Sequence, residues 1–436
     1  MIAFPDARAR QVNRVQNLVI ILLALSAAFM FASLPLFGPL SDRSLLALAQ
    51  EGIHRENVES APDKVELPRL TGPVRIVYSN SFARLGSPSL TTLSDEFELA
   101  GTFLSEAMGS AGSVSPVRET VFLSALRNEG LYFDFGIALP SEVLAELLGV
   151  SLSGLAPDTV CRALLSPTHT GDAMLYVQDG QGRNYLFSTA VSSPALVEFL
   201  ASRSGDNMDF AFMLGQDYSQ LSPYTLVPKN PAPTQTLAAV NSLPGSEDDF
   251  LRRAGFSTHA DNRFTESSGT VIVREIAGTL YLRTDGSVDY LGGAVEPDSL
   301  YFVPSETPGA PTFAEAALAA QRTASVLLRD MLGDAELCLS GIQGRGEHYE
   351  VTFDLLANGA PIRLSNGSHT AVVTINGQSV TALSLKPRRY TLTENSTLLL
   401  PFAQASAIAR VLHGAELNVA YVDSGGEEVA PAWIAD

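Results

Sequence analysis

The stretch TFAEAALAAQRTASVLLRDM, residues 312–331, is the clearest secondary-structure signal in the chain. Thr312 and Glu315 have the spacing of a capping box, in which two residues bond each other's backbone N–H groups at the start of a helix. Apolar residues then recur at intervals of three and four: Phe313, Ala316, Ala320, Ala324, Leu327, Leu328 and Met331. This period predicts a helix that buries one face.

Strand signals follow this helix to the end of the chain. Apolar and β-branched residues predict strands at 336–339, 349–355, 371–375, 379–385, 417–422 and 431–434, and a second helix at 402–412. Asn376-Gly377 stands between two of these strands and is typical of a hairpin turn. Together these elements predict an α+β domain over residues 306–436.

Residues 71–222 predict another α+β domain, because strand and helix signals alternate there in mixed order. Strands are expected at 74–78, 131–135, 160–165, 173–177, 185–188 and 210–214. Helices are expected at 94–108, 141–148 and 194–201. The first of these helices has acidic residues in its first turn and Gly109 at its expected end.

A proline-rich linker is predicted at residues 223–245. Five prolines interrupt this range: Pro223, Pro228, Pro231, Pro233 and Pro244. Such a density prevents a continuous helix or a central strand. Residues 246–305 then predict a middle α+β domain. Its signals are a helix at 246–254 and strands at 270–276, 279–283 and 288–291, with Asp285-Gly286 as a turn.

An uncharged apolar run at residues 15–40 predicts a membrane anchor. As a helix it would extend ~39 Å, which exceeds the ~30 Å hydrocarbon core of a bilayer. The arginines just before it, Arg8, Arg10 and Arg14, place residues 1–14 in the cytoplasm by the positive-inside rule. A cleaved signal peptide is the alternative, but its apolar region is normally shorter. We therefore predict a cytoplasmic tail at 1–14, a transmembrane helix at 15–40 and a stalk at 41–70.

The charge balance argues against a nucleic-acid partner. Acidic residues number 47 and basic residues 28, so the net charge is −19, whereas phosphate binding needs a basic surface. The cysteines, Cys161 and Cys338, lie in segments assigned to different domains, each among apolar neighbours. We expect two buried free thiols rather than a disulfide between domains.

Catalytic motifs are missing from the sequence. It contains no G-x-S-x-G, S-x-x-K, H-E-x-x-H or phosphate-binding glycine loop, and its six histidines are scattered. Acidic residues at 247–249 are expected to open a helix rather than bind calcium. Trp433 is expected in a strand that closes a sheet, with an exposed binding aromatic as the alternative. We predict no enzyme activity, no catalytic residues, no cofactor and no metal site.

Several segments together resemble the YycH/YycI family of extracytoplasmic regulators. In residues 262–290 an extended segment leads to a strand, the Asp285-Gly286 turn and a strand that ends in Tyr290, as in that family. The helix at 313–331, the strand at 349–353, Gly359-Ala360-Pro361-Ile362 and the endings at 417–421 and 431–434 follow the family's order. Residues 131–148 are similar to the N-terminal domain of the YycH branch. The resemblance covers most of the predicted ectodomain.

This resemblance implies a non-enzymatic membrane protein that adjusts a WalK-type (YycG) sensor histidine kinase controlling cell-wall metabolism, together with a related YycI-type membrane protein. It also implies that the transmembrane helix takes part in the kinase contact. Small residues along the predicted anchor suit helix packing in lipid: Ala24, Ser26, Ala27, Ala28, Ala32 and Ser33. The alternatives are an envelope module that binds a wall polymer or small ligand, and an envelope hydrolase.

The sequence thus predicts an α+β protein on the cell membrane. One N-terminal transmembrane helix precedes a multi-domain ectodomain of mixed and antiparallel sheets packed with helices.

Overall fold

The computed structural model describes residues 69–151, 157–169, 171–229, 234–307, 309–409 and 414–435. Three predicted segments lie outside these ranges: the cytoplasmic tail, the transmembrane helix with its small residues, and the stalk up to residue 68. Within them, no helix has the length and apolar character needed to cross a membrane.

The first part of the described chain forms a mainly antiparallel sheet, here called the first sheet. Its strands are β1 (Pro73–Ser79), β2 (Arg84–Thr91), β3 (Val114–Val117), β4 (Gly130–Pro140), β5 (Thr159–Ser166), β6 (Asp172–Gln178), β7 (Asn184–Ser192), β8 (Asp206–Phe210) and β9 (Leu226–Pro228). Their order is β3-β7-β6-β5-β4-β1-β2-β8-β9. The strands β4 and β1 are therefore central.

Helices join the strands of the first sheet: α1 (Asp95–Gly109), α2 (Glu119–Leu126), α3 (Ser141–Leu148) and α4 (Ser193–Ala201). Ser94 caps α1 because its hydroxyl accepts a hydrogen bond from the Phe97 backbone N–H at 3.3 Å. Gly149 ends α3 in the left-handed conformation that favours glycine. The predicted helices at 94–108, 141–148 and 194–201 are confirmed.

A larger sheet, here called the second sheet, follows in the chain. Its strands are β11 (Arg263–Thr265), β12 (Val271–Glu275), β13 (Gly278–Leu282), β14 (Val288–Gly292), β15 (Glu336–Arg345), β16 (His348–Ala357), β17 (Ala360–Leu364), β18 (Ala371–Asn376), β19 (Ser379–Leu385), β21 (Leu417–Asp423) and β23 (Pro431–Ala435). The order is β11-β12-β13-β14-β19-β18-β16-β17-β21-β23, and β15 also pairs with β16. The pair β17 and β21 is parallel. These pairings combine with helices in a mixed α+β fold, which confirms the predicted class.

Further helices are α5 (Glu247–Arg253), α6 (Phe313–Leu328) and α7 (Phe402–Ala409). The capping box of α6 is confirmed: the Thr312 hydroxyl accepts from the Glu315 N–H at 3.1 Å, and the Glu315 carboxylate accepts from the Thr312 N–H at 2.7 Å. Helix α6 packs on β15, β16 and β18 and also touches α3. It therefore contacts elements of both halves of the chain.

The range predicted as a linker contains regular structure. Thr234–Asn241 is strand β10, which pairs with β20 (Arg388–Thr397) and β22 (Glu428–Val429) in a small sheet. The prolines of this range flank β10 and none lies in it, so they do not interrupt its hydrogen bonds. Strand β14 pairs with β19, so segments predicted as middle and C-terminal domains contribute to one sheet.

One predicted strand does not form, and one predicted helix is described only in part. The strand expected at 210–214 is wrong: β8 ends at Phe210, and Ala211–Met213 forms a 3-10 turn before Gly215, whose φ is 101°. The helix expected at 402–412 is present as α7 to Ala409, beyond which residues 410–413 lie outside the described chain. The Asn376-Gly377 turn is confirmed between β18 and β19.

The N-terminal end of β1 is held between the two sheets. The Thr71 backbone N–H donates to Gln321 Oε1 of α6 at 3.4 Å, and the Thr71 carbonyl accepts from the Leu339 N–H of β15 at 2.7 Å. A continuous set of buried apolar residues extends from the first sheet through α6 into the second sheet. Residues 69–435 accordingly belong to one compact unit.

Replacing Gly333, which follows α6, should lower the free energy of unfolding more than replacing a glycine with open surroundings. Its φ is 72°, and an added Cβ would overlap the Tyr390 carbonyl oxygen. Gly346 is the matched control, because its φ is 65° and its surroundings are open. We expect Gly346→Ala to cost about 1 to 2 kcal/mol for the left-handed backbone and Gly333→Ala about 2 kcal/mol more for the overlap. Urea unfolding of both variants measures this, and equal losses would contradict it.

Candidate functional site

A row of polar side chains crosses the apolar strands of the first sheet. Arg75 of β1 stands opposite Asp134 of β4, which stands opposite Arg162 of β5. The row continues to Gln178 of β6 and Asn184 of β7. Residues directly opposite each other on neighbouring strands project from the same face of a sheet. The register therefore brings two arginines to one aspartate.

Glu416 and Asn418 complete this group from the second sheet. Asp134 Oδ2 lies 2.6 Å from Arg75 Nη2 and 3.5 Å from Arg162 Nε. The Glu416 carboxylate accepts hydrogen bonds from both arginines, and Asn418 Oδ1 accepts from Arg75. We call Arg75, Asp134, Arg162 and Glu416 the ion-pair cluster. Its two positive and two negative charges balance.

Further side chains surround Arg162 on its other side. Its Nη1 donates to Gln178 Oε1 at 2.8 Å, and its guanidinium stacks over the Tyr224 ring at 4.5 Å. Gln178 Nε2 donates to the Tyr224 hydroxyl at 2.8 Å, and that hydroxyl donates to Glu119 Oε1 at 3.1 Å. These contacts fix the guanidinium plane of Arg162.

The pKa values of Asp134 and Arg75 are shifted in the directions that favour their charged forms. Burial alone raises the pKa of Asp134, but Arg75 and Arg162 more than reverse this, so its pKa lies below the ordinary aspartate value. Burial lowers the pKa of Arg75, and the neighbouring Asp134 and Glu416 raise it further than burial lowers it. The group is thus a set of buried ion pairs rather than a pool of shared protons.

A cleft of about 220 Å³ lies between the two sheets and is lined partly by Arg75, Asp134 and Asn418. Apolar residues from both sheets line much of it, and four of them are half-buried: Ile137, Met208, Val419 and Trp433. Asp354 and Arg363 line it as well, joined by a 2.5 Å contact between Arg363 Nη1 and Asp354 Oδ2. We call this space the cleft.

Ser340 and Asp354 line the cleft and both contact His369, a trio of side chains that serine hydrolases use, but their geometry does not suit acyl transfer. Ser340 Oγ lies 3.3 Å and Asp354 Oδ1 lies 3.0 Å from the same ring nitrogen, His369 Nδ1. A serine–histidine–aspartate triad places serine and aspartate on opposite ring nitrogens. This group therefore provides no path from a serine proton through the ring. No group of three or more potential metal-binding side chains occurs among the described residues.

Both cysteines are free thiols, as predicted, but only one is fully buried. Cys338 lines the cleft, and burial raises the pKa of its thiol well above the usual range. Cys161 is half-buried, and burial raises the pKa of its thiol to about 11. Neither residue is a reactive thiolate at neutral pH.

Trp433 lies in the terminal strand that its sequence context predicted, and its side chain is half-buried. It lies in β23 opposite Val419, at the end of the second sheet, as predicted. Its indole N–H donates to the Leu400 carbonyl at 2.8 Å, and its ring meets the Phe402 ring edge-on at 5.4 Å. The same ring lines the cleft. Trp433 therefore closes the sheet and also lines the cleft.

The residues predicted for partner binding lie outside the described chain: Ala24, Ser26, Ala27, Ala28, Ala32 and Ser33. The sequence reasoning missed the ion-pair cluster. A signal was present, because Arg75, Asp134 and Arg162 are each a single charge within an otherwise apolar strand. Glu416 carried no such signal, since its partners lie 254 and more residues away.

Asp134→Asn should destabilise the fold strongly. The substitution leaves two buried arginines with one acid, and breaking a buried pair typically costs about 3 kcal/mol or more. Asp289→Asn is the control, because Asp289 pairs with Arg283 at the surface, where such a pair contributes less than about 1 kcal/mol. Urea unfolding at pH 7 measures both losses. A similar loss for the two variants would show that the cluster does not depend on Asp134.

The same pair of proteins tests the pH dependence. Because its folded-state pKa is lowered, Asp134 stabilises the fold fully above the ordinary aspartate value of ~3.9. This contribution is lost as the pH falls through the folded-state pKa. We therefore expect the stability gap between the wild type and Asp134→Asn to shrink below about pH 4. A gap that stays constant in urea titrations from pH 7 to pH 2 would contradict the lowered pKa.

Comparison with known proteins adds one finding. No protein-family model matches the chain, and no curated protein sequence matches it. The crystal structure of YycH from Bacillus subtilis is similar, with a TM-score of 0.55 over 85% of this chain and 94% of that chain. The sequence identity is 10%, so the likeness concerns the fold. The chain has a YycH-like fold, which confirms at that level the resemblance predicted from its sequence.

Proposed function

We propose that this chain is a non-enzymatic, extracytoplasmic regulator of a two-component sensor histidine kinase that controls cell-wall metabolism. The observation that carries the proposal is the YycH-like fold, which extends over 85% of the chain. In the proposed topology, residues 1–14 are cytoplasmic, residues 15–40 cross the cell membrane and the remainder lies outside. A YycI-type membrane protein is the proposed second partner.

The architecture supports regulation through a change of packing between the two sheets. Thr71 bonds to both α6 and β15 immediately before β1 begins. The ion-pair cluster joins β1, β4 and β5 to Glu416, the residue just before β21. A partner that favours one arrangement of the sheets thus acts on the segment that leads to the proposed anchor. A regulator of this kind shifts the kinase between two states by binding one of them better.

The proposed kinase contact includes the anchor itself. Helices in lipid associate through close packing of small side chains. The small residues at positions 24, 26, 27, 28, 32 and 33 supply such a surface in this sequence. The acidic balance of the chain, with a net charge of −19, gives the part outside the membrane little attraction for anionic lipid.

An envelope module that binds a small ligand is the second candidate function. The cleft favours it, because apolar walls and a few polar groups are the usual composition of ligand sites. The two functions are compatible, since binding of a ligand at such a site can control a regulator.

Crosslinking in membranes tests the regulatory function. The full-length protein and a version with an unrelated transmembrane helix at 15–40 are crosslinked, purified and analysed for sensor histidine kinases. We expect a kinase with the native anchor and at least a tenfold weaker yield with the replacement, because the small-residue surface is lost. A variant with Leu23→Ile, outside the small-residue set, serves as the control and should retain the kinase. Recovery of no kinase with the native protein would overturn the proposal.

A further inference from the structure

Apolar side chains keep exposed surface inside the cleft. Ile137, Met208, Val419 and Trp433 line it and are half-buried, in contrast with the fully buried core around them. The cleft measures about 220 Å³. An apolar cavity of about 150 Å³ is large enough to hold benzene. A single aromatic ring or a short alkyl chain therefore fits this space.

The two arginines that line the cleft are more exposed than its two acids. The side chains of Asp134 and Asp354 are 0% and 10% exposed, whereas those of Arg75 and Arg363 are 15% and 39% exposed. Each acid already has two partners or more. Asp134 accepts from Arg75 and from the Gly136 N–H, and Asp354 accepts from Arg363 and contacts His369.

Arg363 is the group best placed to bind an anion. A guanidinium has five N–H donors, and within the described residues one of those of Arg363 bonds to an acid, Asp354. Its planar fork suits a carboxylate, which it binds through two parallel hydrogen bonds. Ser87 and Ser89 of strand β2 also line the cleft. An apolar wall and a guanidinium thus face the same space.

We infer that the cleft binds a small amphipathic anion, with one aromatic ring or a short alkyl chain against Trp433 and a carboxylate on Arg363. If the protein is the proposed regulator, this molecule is the signal that it senses, and that role rests on the proposed function. The binding of the anion does not depend on that function. The ion-pair cluster lies directly beside the site, because Arg75 and Asp134 belong to both.

Trp433 supplies the measurement, since it is the single tryptophan of the chain and lines the cleft. We would place the full-length protein in nanodiscs made with a tryptophan-free scaffold protein. The fluorescence emission of Trp433 is then recorded during titration with benzoate, benzyl alcohol and benzylammonium. We expect a saturable change with benzoate and about tenfold weaker binding of benzyl alcohol, because the alcohol loses the charge-assisted hydrogen bonds. Benzylammonium should bind weakest.

Two variants locate the site. Arg363→Gln should remove the preference for benzoate over benzyl alcohol, whereas Arg283→Gln, which alters an exposed arginine that also pairs with one aspartate, should leave it unchanged. Val419→Phe should abolish the saturable change by filling the cleft. Circular dichroism and thermal unfolding confirm that the variants are folded.

The outcomes are distinct. Equal affinity for benzoate and benzyl alcohol in the wild type would overturn the assignment of an anion, and an absence of saturable change with all three compounds would overturn the site. Benzoate binding that follows the expected order, combined with failure to recover a kinase, would support the site and overturn the regulatory function instead.

Discussion

Four buried charges at the junction of the two sheets are the constraint on which the arrangement of this protein depends. Removing an ion from water costs several kcal/mol, so each charge needs partners with good geometry. Each acid of the ion-pair cluster contacts both arginines. The first sheet alone contributes Arg75, Arg162 and Asp134, which leaves one positive charge in excess. Glu416 cancels it, and the second sheet must therefore sit where Glu416 reaches both guanidinium groups.

The cleft follows from this arrangement. The cleft lies between the two sheets, and some of the apolar residues that line it remain half-buried. Here the uncovered side chains lie next to Arg363 and the ion-pair cluster, in the position where the halves of the chain are joined. A molecule held there contacts both sheets at once. Binding there would therefore act on the contact between the two sheets, as the proposed regulation requires.

Local sequence patterns predicted the helices and strands of this fold better than they predicted which strands pair. Helix α6 follows from its capping box and apolar period, and the hairpin of β18 and β19 follows from Asn376-Gly377. Strand β2, with the sequence RLGSPSLT, was missed because glycine, proline and serine dominate it. Strand β10 was missed because flanking prolines masked it. The pairing of β14 with β19 joins distant segments, and no local pattern carries such information.

The candidate site shows the same division. The isolated charges in β1, β4 and β5 were visible in the sequence, and the registers that align them were not. Trp433 was correctly expected in a terminal strand, whereas its place in the cleft depends on how the two sheets meet. The predicted small-residue surface of the anchor stays a prediction, because residues 15–40 lie outside the described chain.

The distance between Arg162 and Glu416 along the chain, 254 residues, has a consequence for biosynthesis. Ribosomes add about 5 to 20 residues per second, so roughly 13 to 50 seconds separate the synthesis of these two residues. During that interval the first sheet has its unbalanced positive charge and an uncovered apolar face. A chain that ends before residue 416 lacks Glu416, so Arg75 and Arg162 would keep one positive charge in excess beside a core without its last strands.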